Sequence, residues 1–167
     1  MILLPDHLLP DILHLTDEFL DRQKIQGIIF DIDNTLVGYH TPEPTDEVKK
    51  LLAHLRDRGV KLAIASNNKK SRVRRFAADL GMAAYHRSAK PLPIVLHRIC
   101  KDFALPQENI ALVGDQIFTD VWGGNWAGLQ TILVEPVDVL ENNLFFRIKR
   151  ALEGPIIARK KREENHD

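Results

Sequence analysis

The chain holds a single cysteine, Cys100. That excludes an internal disulfide framework and a multi-cysteine zinc site, and it makes a reducing cytoplasm the default compartment. An excess of charge of one sign is also missing. Lys plus Arg number 23 and Asp plus Glu number 23, so net charge points to no polyanionic partner and any basic surface has to be local. No apolar run approaches the length of a membrane span. The N-terminal stretch MILLPDHLLPDILHL is apolar, but Pro5, Asp6, Pro10 and Asp11 interrupt it. It has neither a positive leading region nor an unbroken apolar one, so no signal peptide is expected. Aromatic residues make up only 7% of the chain, too few for the stacking groove of a polynucleotide binder. The seven histidines show no ligand spacing.

What is present is the composition of a folded domain. With 167 residues, 44% of them apolar and 28% charged, the chain is expected to form one domain over 1–167. Apolar residues at helical spacing predict a leading amphipathic helix over 11–22, then helices over 46–58, 69–80 and 91–104. Between them lie short apolar runs that read as buried strands: 27–31, 60–66, a brief one near 83–86, 109–114 and 131–135. WGGNWAGLQ reads as a helix-to-loop passage, with Trp122 and Trp126 expected to pack on one helical face. The core is placed at about 25–137, and 141–167 is expected to be a helix followed by a charged, fraying end. Strands buried on both faces and alternating with helices imply an α/β fold with an open parallel, Rossmann-like sheet.

In such sheets the reactive surface lies beyond the carboxyl ends of the strands. After the first predicted core strand come Asp31, Asp33 and Thr35; after the second, Ser66, Asn67 and Asn68; after the fourth, Asp115 and Asp120 in GDQIFTD. Lys90 follows the short third strand. Carboxylates converging in a low-dielectric cleft repel one another, and an oxygen-preferring divalent cation, ordinarily Mg²⁺, offsets that repulsion. One Asp can then attack phosphorus, while another moves a proton to the leaving oxygen and from the incoming water. Ser66 and Lys90 suit the phosphoryl oxygens, where charge spreads in the transition state.

DIDNT, a Ser ending a strand, a Lys and GDxxxxD, in that order, resemble the signature of the haloacid dehalogenase superfamily. The resemblance implies Asp31 as nucleophile and Asp33 as general acid/base. It implies Asp31, the Asp33 backbone carbonyl and Asp115 around Mg²⁺, with Asp120 in the metal's surroundings or orienting Lys90. Thr35, Ser66, Asn67 and Lys90 are expected at the phosphate, although Asn67 and Asn68 read equally well as loop residues. The short segments between Thr35, Ser66 and Lys90 leave no room for a cap domain. DIDNTLV, SNN, AKP, GDQxxTDVxGGN and FFRIKRALE are similar, over nearly the whole chain, to the capless IIIA-type phosphatases of the YqeG family. That family resembles phosphatidylglycerophosphate phosphatases, so phosphatidylglycerophosphate enters as a candidate substrate.

Two local features bear on a lipid headgroup. Lys69, Lys70, Arg72, Arg74 and Arg75 crowd one helix start, which reads first as a solvated face and second as an anion-attracting patch. Phe145, Phe146 and Ile148 stand beside Arg147, Lys149 and Arg150, a pattern for core, a dimer contact or an interfacial helix giving peripheral contact with the inner membrane surface. The alternatives are a capless phosphatase for sugar phosphates or other small molecules, completed by a homo-oligomer, and a non-catalytic phospho-acceptor such as a receiver domain. The order of the motifs, with DxD first and the second acidic group last, favours the enzyme.

Overall fold

In the computed structural model, which describes residues 2–138 and 144–164, six strands form one parallel sheet. They are β1 (His7–Leu9), β2 (Gly27–Phe30), β3 (Lys61–Ala65), β4 (Ala83–Tyr85), β5 (Ile110–Gly114) and β6 (Gln130–Val134), in the order β1-β6-β5-β2-β3-β4. The helices are α1 (Asp17–Gln23), α2 (Asp46–Asp57), α3 (Lys70–Ala77), α4 (Ile94–Phe103), α5 (Trp122–Trp126) and α6 (Leu144–Glu164).

Strand periodicity divides the core. Ile28, Phe30, Ile64, Ala111 and Val113 point to one face, where they meet Phe19 and Leu20 of α1, Leu52 and Leu55 of α2 and Phe76 of α3. Ile29, Ala63, Ala65, Ile110 and Leu112 point to the other, against Leu96, Ile99 and Phe103 of α4. Helices therefore cover both faces, as the all-apolar strands require. Between Thr35 and Ser66 the chain makes one helix and one strand, and between Ser66 and Lys90 again one of each, so no cap is inserted.

Three elements differ from expectation. The N-terminal stretch contains an edge strand, β1, which the prolines at 5 and 10 hid. It is fastened by side chains, since Asp6 Oδ2 accepts from Thr131 N (2.8 Å) and Thr131 Oγ1 accepts from Asp6 N (3.0 Å). The leading helix begins at Asp17 rather than 11, because Thr16 caps it through Phe19 N and Asp11 closes a separate 3₁₀ turn over Ile12–His14. The tail is helical to Glu164 rather than frayed, with Pro155 inside it. Its Ile156 and Ile157 pack near Leu8, Leu133, Ile117 and Val121. Trp126 stands half exposed instead of packing. The expected helix start at 141–143, the side chains of Phe145–Arg150 and the last residues, 165–167, lie outside the described residues. Among the described residues no helix is long and apolar enough to cross a membrane.

Candidate active site

The site is built where the parallel strands stop. Asp31 N still donates to Val113 O (2.9 Å), so Asp31 stands one residue beyond the β2–β5 ladder. Asp115 follows the last residue of β5, and Ser66 follows the last residue of β3 with its own N–H on Tyr85 O of β4 (3.0 Å). Parallel strands all end on one rim, so residues far apart in sequence arrive together.

After Ile32 the chain reverses. Asn34 adopts a left-handed conformation (φ 60°), which its short polar side chain tolerates, and its N–H donates to Val37 O at 2.7 Å. The turn buries Thr35, whose Oγ1 donates to Asp115 Oδ1 at 3.4 Å.

Lys90 is carried inward by a tight loop in which Arg87 (φ 47°) and Ala89 (φ 57°) both lie in the left-handed region. Such backbone persists only where surrounding contacts over-determine it. Asn67 supplies those contacts. Its Oδ1 accepts from Lys90 N (2.8 Å) and Ser88 Oγ (2.9 Å), and its Nδ2 donates to Lys90 O (2.9 Å). The Asn67 side chain, expected at the phosphate, ties down the lysine loop. Ser66 Oγ accepts from Asn68 N at 3.2 Å, which orients the hydroxyl at the start of the turn into α3.

The Lys90 ammonium bridges two carboxylates, donating to Asp31 Oδ1 at 3.0 Å and to Asp120 Oδ1 at 2.7 Å, with the lysine side chain only 1% exposed. Asp120 reaches Lys90 by crossing Gly114. A Cβ at residue 114 would stand 2.2 Å from Asp120 Cγ, so only glycine fits there. Asp120 Oδ2 also accepts from Gln116 N at 3.1 Å. Carboxylate oxygens of Asp31, Asp115 and Asp120 all lie within 4.8 Å of one another, and all three residues are buried. Asp120, expected beside the metal or orienting the lysine, bonds the lysine and lies within reach of Asp31 and Asp115.

Burial pushes the Asp31 carboxyl up to about 6, and the nearby Asp120 and Asp33 charges add to this, against the opposing pull of Lys90. Burial also works against the Lys90 charge, but Asp120 and Asp31 outweigh it and hold the ammonium above its ordinary range. Three buried carboxylates gather around one ammonium. An all-oxygen, carboxylate-rich donor set fits a divalent cation such as Mg²⁺. A cleft of about 550 Å³ reaches Asp115, walled by Leu8, Leu9, Leu133, Val134 and Ile157, with Lys161 also lining it.

The Asp33 side chain is near Asp31 but is held by other partners. Its Oδ1 accepts from Arg72 Nε (3.2 Å) and Nη2 (3.0 Å), and its Oδ2 from Asn68 Nδ2 (2.9 Å). Reading the sequence did not single out Arg72 within its basic run. The signal lay in its position beside Val73 and four residues before Phe76, next to the buried stripe of α3. The same run had suggested an anionic-surface patch. Arg72 is spent on Asp33 and Arg75 on Glu43 (3.2 Å), which removes two of its five cations from that role.

A strand end carrying Asp31, a buried lysine and an acidic cluster on one parallel rim suit an enzyme that handles phosphoryl groups. The sequence profile of the haloacid dehalogenase-like hydrolases matches residues 37–128, and the chain belongs to that family, as an enzyme of its phosphatase type. It is 36% identical over 160 residues to the "Probable phosphatase YqeG" of Bacillus subtilis, covering 96% of this chain and 92% of that one. It is 28% identical over 169 residues to phosphatidylglycerophosphate phosphatase 1 (chloroplastic/mitochondrial) of Arabidopsis thaliana. That match takes in 93% of this chain but spans only 47% of the plant protein. Among solved structures, the cobalt-bound deoxy-D-mannose-octulosonate 8-phosphate phosphatase of Haemophilus influenzae shares the fold, with a TM-score of 0.56 at 16% identity over 83% of this chain and 91% of that one.

Proposed function

We propose that the protein is a Mg²⁺-dependent phosphomonoester hydrolase that works through an aspartyl-phosphate on Asp31. The observation that carries this reading is the Lys90 bridge between Asp31 and Asp120, with Asp115 within reach.

Asp31 attacks phosphorus, and the bond to the leaving-group oxygen breaks as Asp33 gives that oxygen a proton. Water then attacks the phosphorus of the acyl phosphate, Asp33 takes the water's proton, and phosphate leaves with Asp31 regenerated. Lys90 and the Ser66 hydroxyl hold the phosphoryl oxygens, and Thr35 keeps Asp115 oriented from behind. Mg²⁺, held by Asp31, Asp115 and the Asp33 carbonyl, supplies charge neutralisation at the phosphoryl group when bound.

For the substrate we favour a lipid phosphomonoester, phosphatidylglycerophosphate. Similarity to phosphatases of that name supports this, as does the partly apolar cleft that reaches Asp115. Such a substrate would bring the protein to a membrane surface. The test is phosphate release with Mg²⁺ from phosphatidylglycerophosphate and from a panel of soluble phosphomonoesters, with Asp31→Asn as blank. Preference for the lipid supports the substrate. Turnover of soluble esters alone removes the lipid and keeps the chemistry, and full activity in Asp31→Asn removes the nucleophile.

A further inference from the structure

The arginine that grips Asp33 does more than tie a surface together. All three guanidinium nitrogens of Arg72 are used: Nε and Nη2 on Asp33 Oδ1, and Nη1 on Pro42 O at 2.8 Å. Its charged carbon sits 5.5 Å from the centre of the Phe76 ring, and Phe76 is fully buried, so the planar group has a floor that fixes its orientation. The Arg72 and Asp33 side chains are each only 12% exposed, whereas the neighbouring Arg75–Glu43 pair is more than 60% exposed on both sides. One of these two α3 arginines is therefore held in a defined geometry and the other is a loose surface pair.

A carboxylate offers about four lone-pair positions over its two oxygens. Arg72 fills Oδ1 with two N–H donors, and Asn68 takes one position on Oδ2. One position remains, on Oδ2. We propose that Arg72 is a positioning residue for proton transfer: with Asn68 it fixes the Asp33 carboxylate so that Oδ2 alone carries the proton exchanged with the leaving group and then with water. In the first half-reaction the Oδ2–H bond breaks and the leaving oxygen gains that hydrogen. In the second, Oδ2 takes a hydrogen from the attacking water, and the carboxyl returns to its starting state. The Pro42 contact ties the same guanidinium to the loop that leaves the nucleophile strand, so the loop and the proton-carrying oxygen are held by one group. A lysine could keep the charge but not the two N–H bonds that converge on Oδ1 in a fixed plane.

The inference rests on Asp33 being the acid/base, and the experiment separates the two claims. The measured quantity is kcat/KM, which reports steps through leaving-group departure, for two probes with Mg²⁺. These are 4-nitrophenyl phosphate, whose leaving group departs without a proton, and glycerol 3-phosphate, whose alkoxide needs one. Asp33→Asn is expected to lower the glycerol 3-phosphate value about a hundredfold or more and the nitrophenyl value by less than about tenfold. Arg72→Met is expected to reproduce the pattern, about tenfold or more on the alkyl ester and within about threefold on the aryl ester, with Arg72→Lys between it and wild type. Arg75→Met is expected to leave the ratio unchanged. If Arg72→Met lowers both probes equally, or neither, while Asp33→Asn still discriminates, Arg72 is structural only and the acid/base reading stands. If Asp33→Asn fails to discriminate, both claims fall. Should Arg72→Met not fold, Arg72→Lys and Asn68→Ala decide by the same ratio.

Discussion

Among the described residues, the charges gathered around Lys90 and those gathered around Arg58 share their chemistry and differ in their surroundings. On the rim, Lys90 is 1% exposed between Asp31 and Asp120. Between α1 and α2, Asp17 (42% exposed) faces His54 Nε2 at 2.9 Å and Arg58 at 3.0 Å, and Arg58 also pairs with Asp21. The outer cluster keeps its water, so it gains little from pairing and costs little to break. The inner one has lost its water, and its members depend on one another. Removing one partner leaves a buried charge without compensation, which is far more costly than the pair was worth as a pair. A fold keeps such an arrangement where the charges are used, and burial raises the Asp31 carboxyl against the pull of Lys90.

The contrast breaks most sharply at Lys90. Lys90→Met is expected to abolish phosphate release and to lower stability by about 3–5 kcal/mol in chelator, because Asp31 and Asp120 then face each other unneutralised. Thermal melting with and without Mg²⁺ checks it, and a variant as stable as wild type in chelator would show that the inner cluster is no more coupled than the outer. Next in size is Gly114→Ala. Its methyl would displace Asp120, at a cost of about 1–3 kcal/mol, and activity is expected to fall with the loss of the Lys90–Asp120 bond. Unchanged kinetics would mean that Asp120 reaches Lys90 by another path.

Smaller again is the effect of cation removal on the folded state. Mg²⁺ is expected to raise the melting temperature of wild type and not that of Asp115→Ala, by mass action on a site present only in the native state. An equal rise in both would take Asp115 out of the donor set.

The smallest effect belongs to the outer cluster. The hydrogen bond with His54 holds the Asp17 carboxyl below its ordinary value of 3.8. A lowered folded pKa gives a contribution that is present above that ordinary value and lost as pH falls through the lowered one. Asp17→Asn is therefore expected to reduce the melting temperature slightly at pH 7, to leave activity unchanged, and to match wild type once the medium is acid enough to protonate Asp17. A loss at pH 7 comparable with that of Lys90→Met would erase the distinction between the two clusters.

Several parts of this were legible in the chain because the signals are local. The short, continuous apolar runs of GIIF, KLAIA and IALVG, with amphipathic helices between, are a property of neighbouring residues, and parallel pairing follows from the crossovers. Asp31, Ser66, Lys90, Asp115 and Asp120 were placed on one rim because each follows a strand or the loop after one. β1 was not legible: three residues between prolines carry no periodic signal, and their pairing depends on Asp6 meeting Thr131, 125 residues away. Asn67 could not be assigned for a related reason. An amide's partners are settled only when the 88–90 loop has been folded against it.

By itself, then, the sequence determined which groups would stand at the strand ends and in what order, since hydrophobic patterning sets strand and helix and the strand order sets the rim. The tertiary structure decided which of those groups touch. Lys90 bridges Asp31 and Asp120, Gly114 yields its side-chain space to Asp120, and Arg72 rather than any other cation of its helix takes Asp33. Those choices depend on distances of a few ångströms between segments remote in sequence, and in a buried, poorly screened site such distances decide which charges act together.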